Sequence, residues 1–216
     1  MPERSAVPRG RHAPPLEVRQ DLQRRRLNDA AAAVFARTGY ADATAEAIAR
    51  EASMSKATFY EHFDNKEDCI LALFEAATER IIGAMTAAGR DDGGGVLEPR
   101  ERRRRSVRAL LDVMAEHPDY AQTLLVEIIG AGPRAMERRD ALLQAFAQFI
   151  DQRNVEDAEA GLNPRLASLD DSYAIVGAIF ELVSRQIRTG VPADIRDLEP
   201  VVERLFTGML AAAGEA

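Results

Sequence analysis

The chain has 216 residues, 28 Lys/Arg against 35 Asp/Glu, 46% hydrophobic residues and a single cysteine. That length and apolar content allow one domain or two small ones around a sizeable core. Cys69 alone excludes an internal disulfide framework and fits a reducing cytoplasm, no apolar run approaches the roughly 18 residues of a membrane span, and the polar Arg/Pro-rich start is no secretory signal.

Abundant alanine, few aromatics and no strand-like alternation predict an all-α chain of about nine helices. The net charge of -7 argues at first against a nucleic-acid partner, but it is unevenly spread. Residues 1–66 hold 11 Arg/Lys against 9 Asp/Glu, and the remainder holds 17 against 26. The only two lysines, Lys56 and Lys66, both fall in one short stretch.

Residues 1–18 carry four prolines, three arginines and no periodicity, and are expected to form a disordered basic arm. A first helix is predicted from about Leu16 or Asp21 to Thr38, with Leu27, Ala30, Ala31, Val34 and Phe35 at the helical period and Gly39 as its stop. Asp42 or Thr44 then caps a second helix.

Thr44 to Lys66 reads as two short helices and the start of another. Ala47, Ile48 and Ala52 give one apolar face, and Met54, Phe59 and Phe63 another, since residues four apart share a side of a helix. Ser55, Lys56, Ala57, Thr58, Tyr60, Glu61 and His62 are left partly or wholly outward. Hydroxyl, ammonium, phenol and imidazole groups on an outward helix suit a DNA groove.

Phe35, Gly39-Tyr40, Thr44, Ile48-Ala49, the Ser55-x-x-Thr58-Phe59-Tyr60-x-His62-Phe63 block and Lys66-Glu67 together resemble the DNA-binding domain of the tetracycline-repressor (TetR) family. The resemblance spans roughly Arg26 to Phe74. It implies a three-helix helix-turn-helix domain over 19–66 and a larger helical effector-binding and dimerisation domain over 67–216. Carried onto these positions, it makes Ser55 the cap of the recognition helix and places Lys56 and Thr58 at the major groove. Ala57 allows close approach there, Tyr60 and His62 reach phosphates, and Lys66 holds a phosphate at the next helix start. Thr44 offers its hydroxyl to a phosphate, and Glu61 faces the groove as an acceptor for cytosine or a repulsive charge. One departure is Ser53, where the family has glycine. If that turn needs a positive φ, serine costs about 1 kcal/mol.

The fourth helix is predicted over Lys66 to about Ala88, followed by a GRDDGGG loop that lacks a phosphate-loop continuation. A fifth, from about Glu98 to Glu116, opens with Arg100 and Arg102–Arg105, read as a solvated, acid-paired face. Pro118 and Pro133 open the sixth and seventh, Ile128 and Ile129 belonging to the sixth. Two more are predicted over about Leu169 to Arg188 and Asp194 to Ala213.

In the family resembled, the last two helices form a four-helix dimer interface, here carried by Val176, Phe180, Val183, Ile187, Val202, Leu205, Phe206 and Met209. A two-fold dimer also doubles the base contacts of one reading head across a palindrome. The resemblance further implies an effector cavity, for which Met85, Leu110, Met114, Tyr120, Leu124, Ile128, Phe146, Phe149 and Phe180 are the candidates. No charged residue reads as clearly interior, which favours an uncharged or amphipathic, largely apolar effector.

The expected partners are therefore an operator duplex, a second copy of the chain and a small molecule, with no membrane, metal or cofactor. An enzyme would need a nucleophile–base pair, a metal cluster or a cofactor loop, and the sequence shows no HExxH, no GxSxG and only scattered histidines. The competing reading is a helical protein–protein interaction module without specific DNA binding. Repression is favoured over activation.

Overall fold

The computed structural model describes residues 15–90 and 97–215 and contains helices and no strand among them. Most of the arm expected over 1–18, and most of the glycine loop, lie outside the described residues. Leu16 to Val18, which fall both in the expected arm and within the earlier of the two predicted helix starts, belong to the first helix.

Helix α1 (Leu16–Asp42) buries Leu27, Ala31, Val34 and Phe35. Gly39 adopts φ 76°, ψ 159°, so the regular helix breaks where a stop was predicted and the chain bends before Asp42. A side chain would be strained at that backbone angle, and glycine is not. Thr44 caps α2 (Ala45–Glu51) by accepting the Ala47 N–H at 3.1 Å. Ser53 takes φ 56° in the turn that follows, the left-handed conformation in which serine costs about 1–2 kcal/mol. Ser55 caps α3 (Lys56–His62) through the Thr58 N–H at 3.0 Å. Ile48 and Phe59 are fully buried, with α2 packed between α1 and α3, closing a small core.

Helix α4 (Lys66–Ala88), capped by Asn65, connects this unit to the body. The body comprises α5 (Pro99–Glu116), α6 (Pro118–Leu125), α7 (Pro133–Glu159), α8 (Leu169–Thr189) and α9 (Glu199–Glu215). Prolines open α5, α6 and α7 because the first turn needs no N–H donor there. A Ser168/Asp171 capping box starts α8, and Gly190 at φ 67° ends it.

Two boundaries differ from expectation. The sixth helix stops at Leu125 and continues as a 3-10 turn over Glu127–Gly130, which buries Ile128 and leaves Ile129 half exposed. The last helix starts at Glu199, after a separate 3-10 turn over Ile195–Leu198. Pro200 explains this: six residues into a helix from Asp194 its ring would clash with the carbonyl four back, whereas in a first turn it is tolerated.

The expected interface residues are placed differently from the reading above. Val176, Phe180, Val183, Val202 and Phe206 are all buried within the single chain, while Ile187, Leu205 and Met209 are half-buried. The apolar stripes of α8 and α9 serve mainly the protomer's own core. Their outer sides carry Tyr173, Ala174 and Glu181 on α8 and Arg204, Gly208 and Ala211 on α9.

Candidate nucleic-acid interface and cavity

Helix α3 turns Ser55, Lys56, Ala57, Tyr60 and Glu61 to solvent. The Lys56 ammonium lies 4.0 Å from Glu46 Oε2 with its side chain 57% exposed, a pair too loose to hold it. Tyr60 is half exposed, its ring set edge-on to the buried Phe59 at 5.4 Å, so the core fixes the ring and leaves the hydroxyl outside. Thr58 is half-buried, with Oγ1 2.9 Å from Ser55 Oγ, and serves the cap as much as the outer face. Thr44 is exposed at the start of α2.

Two of the expected DNA contacts are engaged inside the protein. His62 is half-buried with Nε2 3.3 Å from Gln23 Oε1. Burial, and then the Arg24 guanidinium, push its pKa below the ordinary histidine value, with Glu61 opposing. The folded state therefore holds its proton less firmly than the unfolded chain does. Stability should fall as pH drops below about 6.5, where the unfolded imidazole takes up a proton. Denaturant titrations of wild type and His62→Gln between neutral and mildly acidic pH check this. The variant should lose less stability on acidification, and parallel losses would remove His62 from the account.

Lys66 departs further from expectation. Its Nζ donates to the carbonyls of Tyr40 at 2.7 Å, Ala41 at 2.9 Å and Ala43 at 3.1 Å, and it stands 4.5 Å from the centre of the Tyr40 ring. An ammonium has three donors, and all three are used to hold the α1–α2 link, leaving none for a phosphate.

The front of α1 supplies groups that sequence reasoning left unplaced. Arg24 lies over the Phe63 ring at 5.2 Å, and Arg26 Nη2 donates to Ala52 O at 2.9 Å. Arg24 and Arg25 are exposed, and Arg24 lies near His62 at the end of α3. The run of three arginines was the only signal for them.

In the body, a cavity of about 220 Å³ opens between α4, α5, α7, α8 and α9. Met85, Leu110, Phe146, Phe149 and Phe180 line it as expected, joined by Val107, Ile179 and Phe206. Met114, Tyr120 and Leu124 do not. They border a separate small cleft with Arg80 and His117, and Tyr120 there donates to Asp29 at 2.6 Å. Ile128 is fully buried and lines neither space.

The cavity also overturns the expectation of an interior without charge. Arg102 Nη2 donates to both oxygens of the buried Asp157, at 2.6 and 2.8 Å. Arg103 stands over the Phe206 ring at 5.7 Å, its buried Nε without a partner and its pKa lowered chiefly by burial. Arg90 and Arg153 also line the space. The Arg-rich start of α5 is thus acid-paired on its outer side, where Glu101 holds Arg104 and Arg105, but turns Arg102 and Arg103 inward.

Residues 27–73 match the family described as "Bacterial regulatory proteins, tetR family". The chain is 24% identical over 187 residues to the fatty acid metabolism regulator protein of Bacillus subtilis, covering 84% of this chain and 92% of that one. It is 31% identical over 108 residues to the transcriptional activator FasR of Mycolicibacterium smegmatis, covering 50% of this chain and 47% of that one. The match to the regulator YerO of Bacillus subtilis spans 32% of that protein's length. Among solved structures, the fatty acid degradation regulator FadR of Bacillus halodurans superposes with a TM-score of 0.75 at 22% identity, over 85% of this chain and 97% of that one. FadR of Bacillus subtilis in complex with stearoyl-CoA does so with 0.73 at 19%, over 84% and 96%.

Proposed function

We infer that this chain, which belongs to the tetR family of bacterial regulatory proteins through residues 27–73, represses transcription by binding a palindromic operator as a homodimer and leaves it when a small molecule fills the body cavity. The observation that carries the reading is α3 itself, capped at Ser55, anchored by the buried Phe59 and exposing Lys56, Ala57, Tyr60 and Glu61. In that geometry Lys56 and Tyr60 supply phosphate and base-edge contacts, Ala57 permits close approach, and Glu61 biases against wrong bases. Thr44 and the free N–H groups of α2 add a phosphate contact at the groove rim.

The dimer is formed through the outer sides of α8 and α9. Added side-chain carbons at Gly177 and Gly208 would meet nothing within 4 Å, so a second copy can approach closely there. The effector is an amphiphile: aromatic and aliphatic walls take an apolar chain, and Arg103, Arg153 and Arg90 receive an anionic head. The stearoyl-CoA complex of a relative with this fold supports that class. Ligand binding releases DNA by favouring a conformation whose two reading heads no longer match the operator spacing.

Selection of duplexes from a random pool at about 150 mM salt tests the reading, with Lys56→Ala/Tyr60→Ala alongside. Wild type should enrich a palindrome and the double variant should not, at unchanged melting temperature. Enrichment of the same site by both would shift the contacts to the α1 arginines. No enrichment by either would favour the partner-module reading. Adding stearoyl-CoA to the wild-type complex should release the selected duplex.

A further inference from the structure

Gly39 takes the chain out of the helical ladder, and the Tyr40 N–H that follows needs an acceptor from elsewhere. It finds one 87 residues away: the N–H donates to Glu127 Oε2 at 2.7 Å. Glu127 opens the 3-10 turn between α6 and α7, and Gln122 Nε2 donates to its other oxygen at 2.9 Å, aiming the carboxylate. A side-chain carbon at Gly39 would lie 3.6 Å from Glu127 Oε2, an ordinary contact, so it is the backbone angle of the bend, not the approach of the carboxylate, that calls for glycine.

The bend leads straight into the reading head. Lys66 holds the carbonyls of Tyr40, Ala41 and Ala43 from α4, and Thr44 then starts α2. The segment is thus tied through its carbonyls to α4 and through one N–H to the body. On the body side, the turn adjoins Leu125, whose carbonyl accepts Ser184 Oγ at 3.4 Å from α8, a wall of the cavity. The ion pairs between α4 and α7, Arg134 with Glu67 and Asp68 and Arg138 with Glu75, are exposed and contribute little, and Tyr120 of α6 donates to Asp29 farther back on α1.

We propose that Glu127 is a positioning residue for DNA recognition: by holding the Tyr40 amide it fixes the angle at which the body presents α2 and α3. The proposal rests on the DNA-binding reading above. Hydrogen exchange and affinity for the selected duplex, measured on Glu127→Ala and Glu127→Gln, test it. Glu127→Ala should accelerate exchange at Tyr40 and weaken operator binding on the order of tenfold, the weight of one hydrogen bond to a charged group. Glu127→Gln, whose amide oxygen still accepts, should restore both. Gln122→Ala, which only loosens the carboxylate, stands in if Glu127→Ala fails to fold, with a smaller loss in both readouts. Unchanged exchange at Tyr40, or faster exchange with wild-type operator affinity, overturns the proposal alone. A wild type that selects no duplex overturns the DNA-binding reading and the proposal with it.

Discussion

Lys66→Met should cost on the order of 3 kcal/mol of stability and most of the operator affinity, although Lys66 touches no DNA in this account. A single hydrogen bond to a charged group contributes about 1.5–3 kcal/mol. The Lys66 ammonium makes three, to Tyr40, Ala41 and Ala43, and adds a contact with the Tyr40 ring. The three share one partly solvated ammonium, so the total stays near the upper value for one bond. For a chain of this size that corresponds to a melting shift of roughly 6–12 °C. Lys66→Arg should not rescue, because a planar guanidinium cannot converge on three carbonyls of one turn. The phosphate role predicts the opposite pattern. Arginine would then preserve binding, methionine would leave stability intact, and the salt dependence would drop by about one phosphate contact. Thermal melts and salt-dependent operator titrations of the two variants decide between the roles.

The difference between the two roles shows where sequence reading stops. Local signals were legible: Ser55 caps α3 as expected, Thr44 rather than Asp42 of the two candidates caps α2, and α4 begins and ends at the predicted residues. Prolines at 118 and 133 marked helix starts because a missing N–H is harmless only there. The positive φ at Ser53 followed from the glycine usually found at that place in the family. Partners distant in the chain were not legible. Lys66 on a helix start looks like an anion holder until the Tyr40 and Ala41 carbonyls are seen converging on it. Five arginines between Arg100 and Arg105 look solvated all round, and only Asp157, 55 residues on, draws Arg102 inward. The wide apolar stripes of α8 and α9 do not distinguish a partner's surface from the walls of an internal cavity, and Phe180 and Phe206 prove to line the cavity.

Asp157→Ala should destabilise the chain by about 3–5 kcal/mol, the usual cost of leaving one member of a buried ion pair alone. Asp157 is 7% exposed and the Arg102 side chain 19%, so water does little to replace the lost charge. Arg102→Met combined with Asp157→Leu should recover most of the loss, since apolar groups of similar volume need no partner. That recovery separates the unpaired charge from the lost volume. The same pair bears on the ligand. Arg102 lines the cavity hydrogen-bonded to Asp157, and Arg103, which feels Glu203 and Asp157 but has no hydrogen-bond partner at Nε, is the inner cation that would meet an anionic head. Removing Asp157 frees a second. Stearoyl-CoA should therefore raise the melting temperature of Asp157→Ala more than that of wild type, because a bound anion replaces the missing carboxylate. Arg103→Met should instead reduce the wild-type shift. Equal shifts in all three proteins would mean that the head of the ligand does not reach this end of the cavity. Arg102 would then stand as a support for α7 and Arg103 as one for α9 against α5, and the anionic end would have to be sought beside Arg153 and Phe149.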